Sequence, residues 1–113
     1  MPRALITGFD RKNLYFEVKE SKKKDAALLN YLNRHAEESG IIYCATRKNV
    51  DAVFELLVKK GYPVAKYHAG MGSEERKKNQ DDFIYDNKPL IVATNAFGMG
   101  IDKSNVRFVI HYN

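Results

Sequence analysis

The chain has no tryptophan, a single cysteine and three prolines among its 113 residues, and no long apolar run. A membrane-spanning helix needs about 18 consecutive apolar residues. Nothing here approaches that, and the opening MPRALITGFD lacks the apolar centre of a secretion signal. With Cys44 alone, no internal disulfide can form, which fits a reducing compartment. A cytoplasmic location with no membrane partner is the expectation. Metal-ligand spacing is also lacking, because His35, His68 and His111 stand apart without a second ligand in register, so no metal site is expected. No P-loop of the form G-x-x-x-x-G-K-[ST] occurs, and no Asp-Glu pair follows a strand to hold magnesium. The chain alone therefore cannot hold and hydrolyse a nucleoside triphosphate in the P-loop manner.

What is present is an ordinary globular composition, 44% hydrophobic and 29% charged, in a length that suits one domain. Lys and Arg number 19 against 14 Asp and Glu, a formal net charge of +5. Such an excess favours a polyanionic partner, since clustered cations release counterions from phosphates. The run Lys22, Lys23, Lys24 reads better as a solvated helix start than as a binding site.

Strand-like and helix-like segments alternate. LYFEV (14–18) reads as a strand, and DAALLNYLNRHAEES then sets Leu28, Leu29, Leu32 and Ala36 on one helical face, with Gly40 as its stop. IIYCA (41–45) is a strand covered on both faces. A helix over 48–60 turns Val50, Val53, Phe54 and Leu57 inward and ends at Gly61. VAKYHA is a third strand, and Ser73 caps a third helix whose Glu74 and Glu75 suit its positive end. The thin apolar face of that helix, Phe83 and Ile84, predicts a place at the edge of the fold. LIVAT (90–94), apolar enough to be central, and VRFVIHY (106–112) complete the set. Strands joined through helices imply parallel crossovers, hence an α/β sheet with helices on both faces. Ligands in such sheets sit beyond the carboxyl ends of the strands, where ATRK, HAGMGS and TNAFGMGID converge.

Each of these segments has a functional and a plain reading. IIYCATRKNVDAVFELLVKKGYPVAKYHAGM has the rhythm of a rhodanese-like sulfurtransferase using Cys44. Asn49 and Val50 stand where an arginine should close the thiolate loop, so a buried strand cysteine is preferred. Thr46 and Arg47 are either a helix cap or a phosphate seat at a helix N-terminus. His68, Gly70 and Gly72 make either a tight loop or a place for a nucleic-acid backbone to come close. GMG is part of a dinucleotide fingerprint, with Lys103 in the place of the third glycine. Asp102, two residues after Gly100, can accept hydrogen bonds from a ribose diol. A non-catalytic basic module that binds nucleic acid or protein also fits these features.

GIIYCATRKNVDAVFELL, GYPVAKYHAGMGSEERKKNQDDF and LIVATNAFGMGIDKSNVRFVIHY, in this order, resemble motif IV, the segment after it and motif V of the RecQ family of ATP-dependent DNA helicases. They span residues 40–112, and FDRKNLYFEV fits the entry to the same domain. The resemblance implies a three-layer RecA-like (P-loop NTPase-like) fold, with residues 1–113 as the second motor domain, ending before motif VI. It implies that Thr46, Arg47, His68, Gly70, Met71 and Thr94 face DNA, single-stranded or duplex, and that Gly100 and Asp102 meet the ribose of ATP. Arg76 and Gln80 match positions in the following helix, where a structural role is as fitting as a functional one. No catalytic group is expected here. The motif VI arginines, the P-loop and the magnesium ligands belong to parts this chain does not contain, and any zinc belongs to a domain downstream. The implied parent unwinds DNA with 3′-to-5′ polarity in repair and recombination, near the nucleoid if bacterial. This piece is expected to be a monomer, inactive without its partner, the first RecA-like domain.

Overall fold

The computed structural model describes residues 12–16, 20–94 and 103–113. Along the chain run β1 (Lys12–Tyr15), α1 (Ser21–Arg34), β2 (Ser39–Tyr43), α2 (Arg47–Lys59), β3 (Val64–Tyr67), α3 (Ser73–Ile84), β4 (Leu90–Ala93) and β5 (Val106–His111). The strands form one sheet in the order β1-β5-β2-β4-β3, with every neighbouring pair parallel. This is the RecA-like three-layer architecture expected from the motifs.

The handedness of crossovers explains which helix covers which face. The steps from β1 to β2 and from β2 to β3 move in one direction across the sheet, and the step from β3 to β4 moves back. Right-handed crossovers in opposite directions place their helices on opposite faces. Accordingly, Leu28 and Leu32 of α1 and Val50, Val53 and Leu57 of α2 pack with Ile42, Val64, Val92, Phe108 and Ile110. Phe83 of α3 packs with Ile41, Ala65, Ile91, Ala93 and Val109 on the other side. Strand alternation sorts these neighbours: Ile41 and Ile42 face opposite layers, as do Ile91 and Val92. β2 and β4 are interior strands and β4 is buried throughout, as its apolar run predicted. α3 buries Phe83 beside the edge strand β3, as its thin face predicted.

Three local expectations are corrected. Gly40 is not the stop of α1, which ends at Arg34 with His35 as its C-cap. Gly40 lies inside β2, where a Cβ would clash with the Phe108 ring, so the ring lies directly across the strand. Ser73 is the first residue of α3 rather than its cap, and Gly72 holds the N-cap position without a side-chain bond. β1 begins at Lys12 and ends at Tyr15, earlier than the 14–18 reading, while residues 17–19 lie outside the described residues. Gly61 does end α2, at φ 88°, a conformation that favours glycine.

Beside Gly40 the β2–β5 register slips, Ser39 pairing with Val106 and Gly40 with Phe108, so Arg107 is the extra residue of a bulge. At the carboxyl edge the chain leaving β2 turns towards the α1/α2 face. Lys103 lies ahead of β5, at the amino edge, with its ammonium over the Phe83 ring of the α3 layer. The carboxyl ends of the strands are the usual ligand site of such sheets.

Candidate nucleic-acid interface

Thr46 lies just past the end of β2, with extended backbone angles, and caps α2. Its Oγ1 accepts the Asn49 amide at 3.1 Å, and its carbonyl accepts the Val50 amide at 3.0 Å. The amides of Arg47 and Lys48 in that first turn have no partner within the helix, and both side chains are exposed. The turn contains no acidic residue. Two cations at the positive end of a helix dipole oppose it, so this terminus is better suited to an anion than to isolation. The start of α3 is the reverse, with Glu74 and Glu75 in its first turn. Three helices start at this rim: α3 carries Glu74 and Glu75, α1 has no acidic residue in its first turn but its Lys23 pairs with Glu20 at 3.8 Å, and Arg47 and Lys48 of α2 form no ion pair among the described residues.

The loop after β3 is built around His68. Its side chain is buried, and its Nδ1 accepts the Gly70 amide at 3.0 Å. A ring nitrogen that accepts carries no proton, so the other, Nε2, carries it and donates to Asp51 Oδ1 at 3.0 Å. The His68 carbonyl accepts the Met71 amide, and its own amide points at Met71 Sδ at 3.4 Å. Met71 is also buried. Of the residues expected to lie along DNA in this segment, His68 and Met71 thus turn their side chains inward, and only Gly70 is exposed. The amides of Gly70 and Met71 are already engaged. Gly70 lies against α2: a Cβ there would sit 3.0 Å from His68 Cε1 and 3.5 Å from Arg47 Cδ.

Thr94 follows β4, half-buried, with its amide donating to the Tyr67 carbonyl at 3.3 Å. The structure therefore brings Thr46, Arg47, Gly70 and Thr94 to one edge of the sheet. Gly100 and Asp102 lie outside the described residues. Lys103, which follows directly, has a buried ammonium 2.6 Å from Asp86, and Asn105 donates to both oxygens of the same carboxylate. In α3, Arg76 is partly buried and its Nε is buried without a hydrogen-bond partner, while Gln80 is partly buried one turn on.

Cys44 is 1% exposed, and burial pushes its thiol up to about 12, so it is protonated at neutral pH and no nucleophile. Nearby, Tyr112 donates its hydroxyl to Asp25 at 2.6 Å, and Asn113 Oδ1 accepts the Ala45 amide at 2.7 Å, tying β5 to the loop that carries Thr46. Among the described residues, no group of three His, Cys, Asp or Glu side chains could hold a metal ion, and no helix is long and apolar enough to cross a membrane.

Two residues of this edge escape a reading of the sequence, Asp51 and Lys66. Lys66 Nζ reaches Asp51 Oδ1 at 3.0 Å and lies over the Phe54 ring. Hydrogen bonds from Lys66 and then His68 hold the Asp51 carboxyl below the usual carboxylate range. A signal for them exists: Lys66 in β3 and His68 just past its end are two apart, the spacing that puts extended residues on one face, here the face that α2 covers.

A family model described as the helicase conserved C-terminal domain matches residues 23–113. The chain is 45% identical over 107 residues to the ATP-dependent DNA helicase RecQ of Bacillus subtilis, covering 95% of this chain and 18% of that protein. With the Haemophilus influenzae protein of the same name it shares 45% over 108 residues, 96% of this chain and 17% of that one. It therefore spans under a fifth of the length of these relatives. A structure of Saccharomyces cerevisiae Dbp5 bound to RNA and ADP BeF3 superposes with a TM-score of 0.81 at 28% identity, over 95% of this chain and 28% of that one. The parallel five-stranded sheet, the motifs along its carboxyl edge and a family match over most of its length place the chain in the helicase C-terminal domain family, with the RecQ-type sequence its motifs implied.

Proposed function

We propose that this chain is the second motor domain of a RecQ-type, ATP-dependent 3′-to-5′ DNA helicase acting in repair and recombination. Its part is to grip the phosphate backbone of DNA and to supply half of a nucleotide site. The observation that carries the reading is the start of α2. There a cap hydroxyl, two amides without a helical partner and two cations stand at the carboxyl edge of an interior strand with no acidic residue in the turn. That is a seat for a phosphate, and it reads backbone rather than sequence. Thr94 provides a further polar group on the same edge.

Gly100 and Asp102 would hold the ribose of ATP, whose cleavage supplies the energy of each step. Magnesium, the arginine finger and the P-loop come from groups outside this chain, including the first RecA-like domain, and any zinc is held elsewhere. Thr94 and Asp102 lie eight residues apart, so one loop senses both DNA and nucleotide, which is what coupling requires. A cytoplasmic monomer is the form in which this segment is proposed to be stable.

The isolated chain should show no DNA-stimulated ATP turnover, and repeated turnovers by the pure chain would sink the reading. In the longer protein, Asp102→Ala should weaken nucleotide coupling and leave DNA binding without nucleotide largely intact. Equal loss of both would count against the roles given to Thr94 and Asp102.

A further inference from the structure

We infer that Asp51, which is not among the residues expected to touch DNA, is a positioning residue that fixes the His68–Gly70 loop against the phosphate seat of α2. The inference rests on the DNA-facing role proposed for that edge. A carboxylate one helical turn after Arg47, on the same face, is out of place beside a polyanion. At i, i+4 spacing it would ordinarily pair with that arginine. No such pair forms among the described residues. Instead Asp51 Oδ1 accepts from both Lys66 Nζ and His68 Nε2, each at 3.0 Å. Arg47 is left exposed and free for phosphate, while the carboxylate is spent on the loop.

The consequence runs through the imidazole. With Nε2–H directed at Asp51, Nδ1 is the nitrogen left to accept the Gly70 amide. The ring therefore bridges α2 to the exposed backbone at Gly70, and the Met71 amide and sulfur close on the His68 carbonyl and amide. Without Asp51 the Nε2 proton has no partner, the other tautomer competes, and the Gly70 bond is lost with it. Lys66 offsets the negative charge that this arrangement brings close to DNA.

The test is fluorescence anisotropy of labelled oligo(dT) with the 113-residue chain, as wild type, Asp51→Ala and Asp51→Asn. Alanine suits this half-exposed helical position, so the helix persists. Both substitutions remove a negative charge, and charge alone would tighten binding in both. Positioning predicts the opposite sign: Asp51→Ala binds about tenfold more weakly, and Asp51→Asn, whose amide oxygen still accepts from Nε2, stays within about threefold of wild type. Amide exchange at Gly70, read by NMR, should speed up in Asp51→Ala and not in Asp51→Asn. Equal or tighter binding by Asp51→Ala, or unchanged Gly70 exchange, overturns the inference. A wild-type chain that does not bind oligo(dT) at low salt overturns the DNA-facing reading itself and this inference with it, so the two failures are distinguishable.

Discussion

Gly40 is a residue whose sequence context misleads. It follows a helical stretch by a few residues, the usual place of a helix stop, yet its role is in β2, making room for the Phe108 ring. No local pattern reveals that ring, because Phe108 is 68 residues away and meets Gly40 only through β2–β5 pairing. Gly40→Ala should therefore destabilise the fold by about 2–3 kcal/mol by overpacking, read as a lower urea midpoint. An unchanged midpoint would mean that the ring moves aside freely. His68 and Met71 show the same limit at the candidate site. Their neighbouring glycines suggest an exposed loop, and only the folded structure shows that both side chains turn inward. Cys44, in contrast, is legible: a cysteine inside a continuous apolar run with no arginine to close a thiolate loop is a core residue, and burial raises its thiol accordingly.

The elements themselves are largely legible because their apolar periods are strong and their connections short. Their ends are not, since caps and strand edges depend on partners from distant segments. The turn between α3 and β4 illustrates this. Asp86 sits there at φ 63°, and its carboxylate accepts from Lys103 and Asn105, which lead into β5. The Lys103 side chain is 2% exposed, so its charge is tolerable only because of Asp86. Removing that partner by Asp86→Ala should cost about 2 kcal/mol, a figure reduced from that of a fully buried pair because Asp86 is half-exposed. Adding Lys103→Met should recover the part of the loss due to the unpaired ammonium, while the strain of alanine at φ 63° persists. A double variant as unstable as Asp86→Ala would contradict this. Hydrogen bonds, from Lys103 to Asp86 and from Lys66 to Asp51 foremost, hold both carboxyls below their usual range. A lowered folded-state value stabilises the fold above the ordinary carboxylate pKa, near pH 4, and the contribution is lost as pH falls through the lowered values. Urea midpoints should thus fall below about pH 4, and less so in a chain carrying Asp86→Asn with Lys103→Met.

For the whole molecule, the observed strand order and right-handed crossovers together decide which face each helix covers, and the parallel pairing gathers every strand's carboxyl end on one edge. This is why motifs far apart in sequence meet on one rim, and why the alternation of strands and helices is enough to assign them to it. The network beneath the rim is less visible: Asp51, Lys66 and His68 come from separate segments and meet only when α2 packs on β3. A net charge of +5 says only that some polyanion is welcome, whereas the start of α2 says where. The most direct measurement is the salt dependence of oligo(dT) binding by the wild-type chain and by Arg47→Ala/Lys48→Ala. The account predicts weaker binding by the variant and a slope of log K on log salt flatter by roughly 1.4 units, if each cation neutralises one phosphate of a single strand. The same affinity and slope in both chains would contradict the assignment of the phosphate grip to this helix.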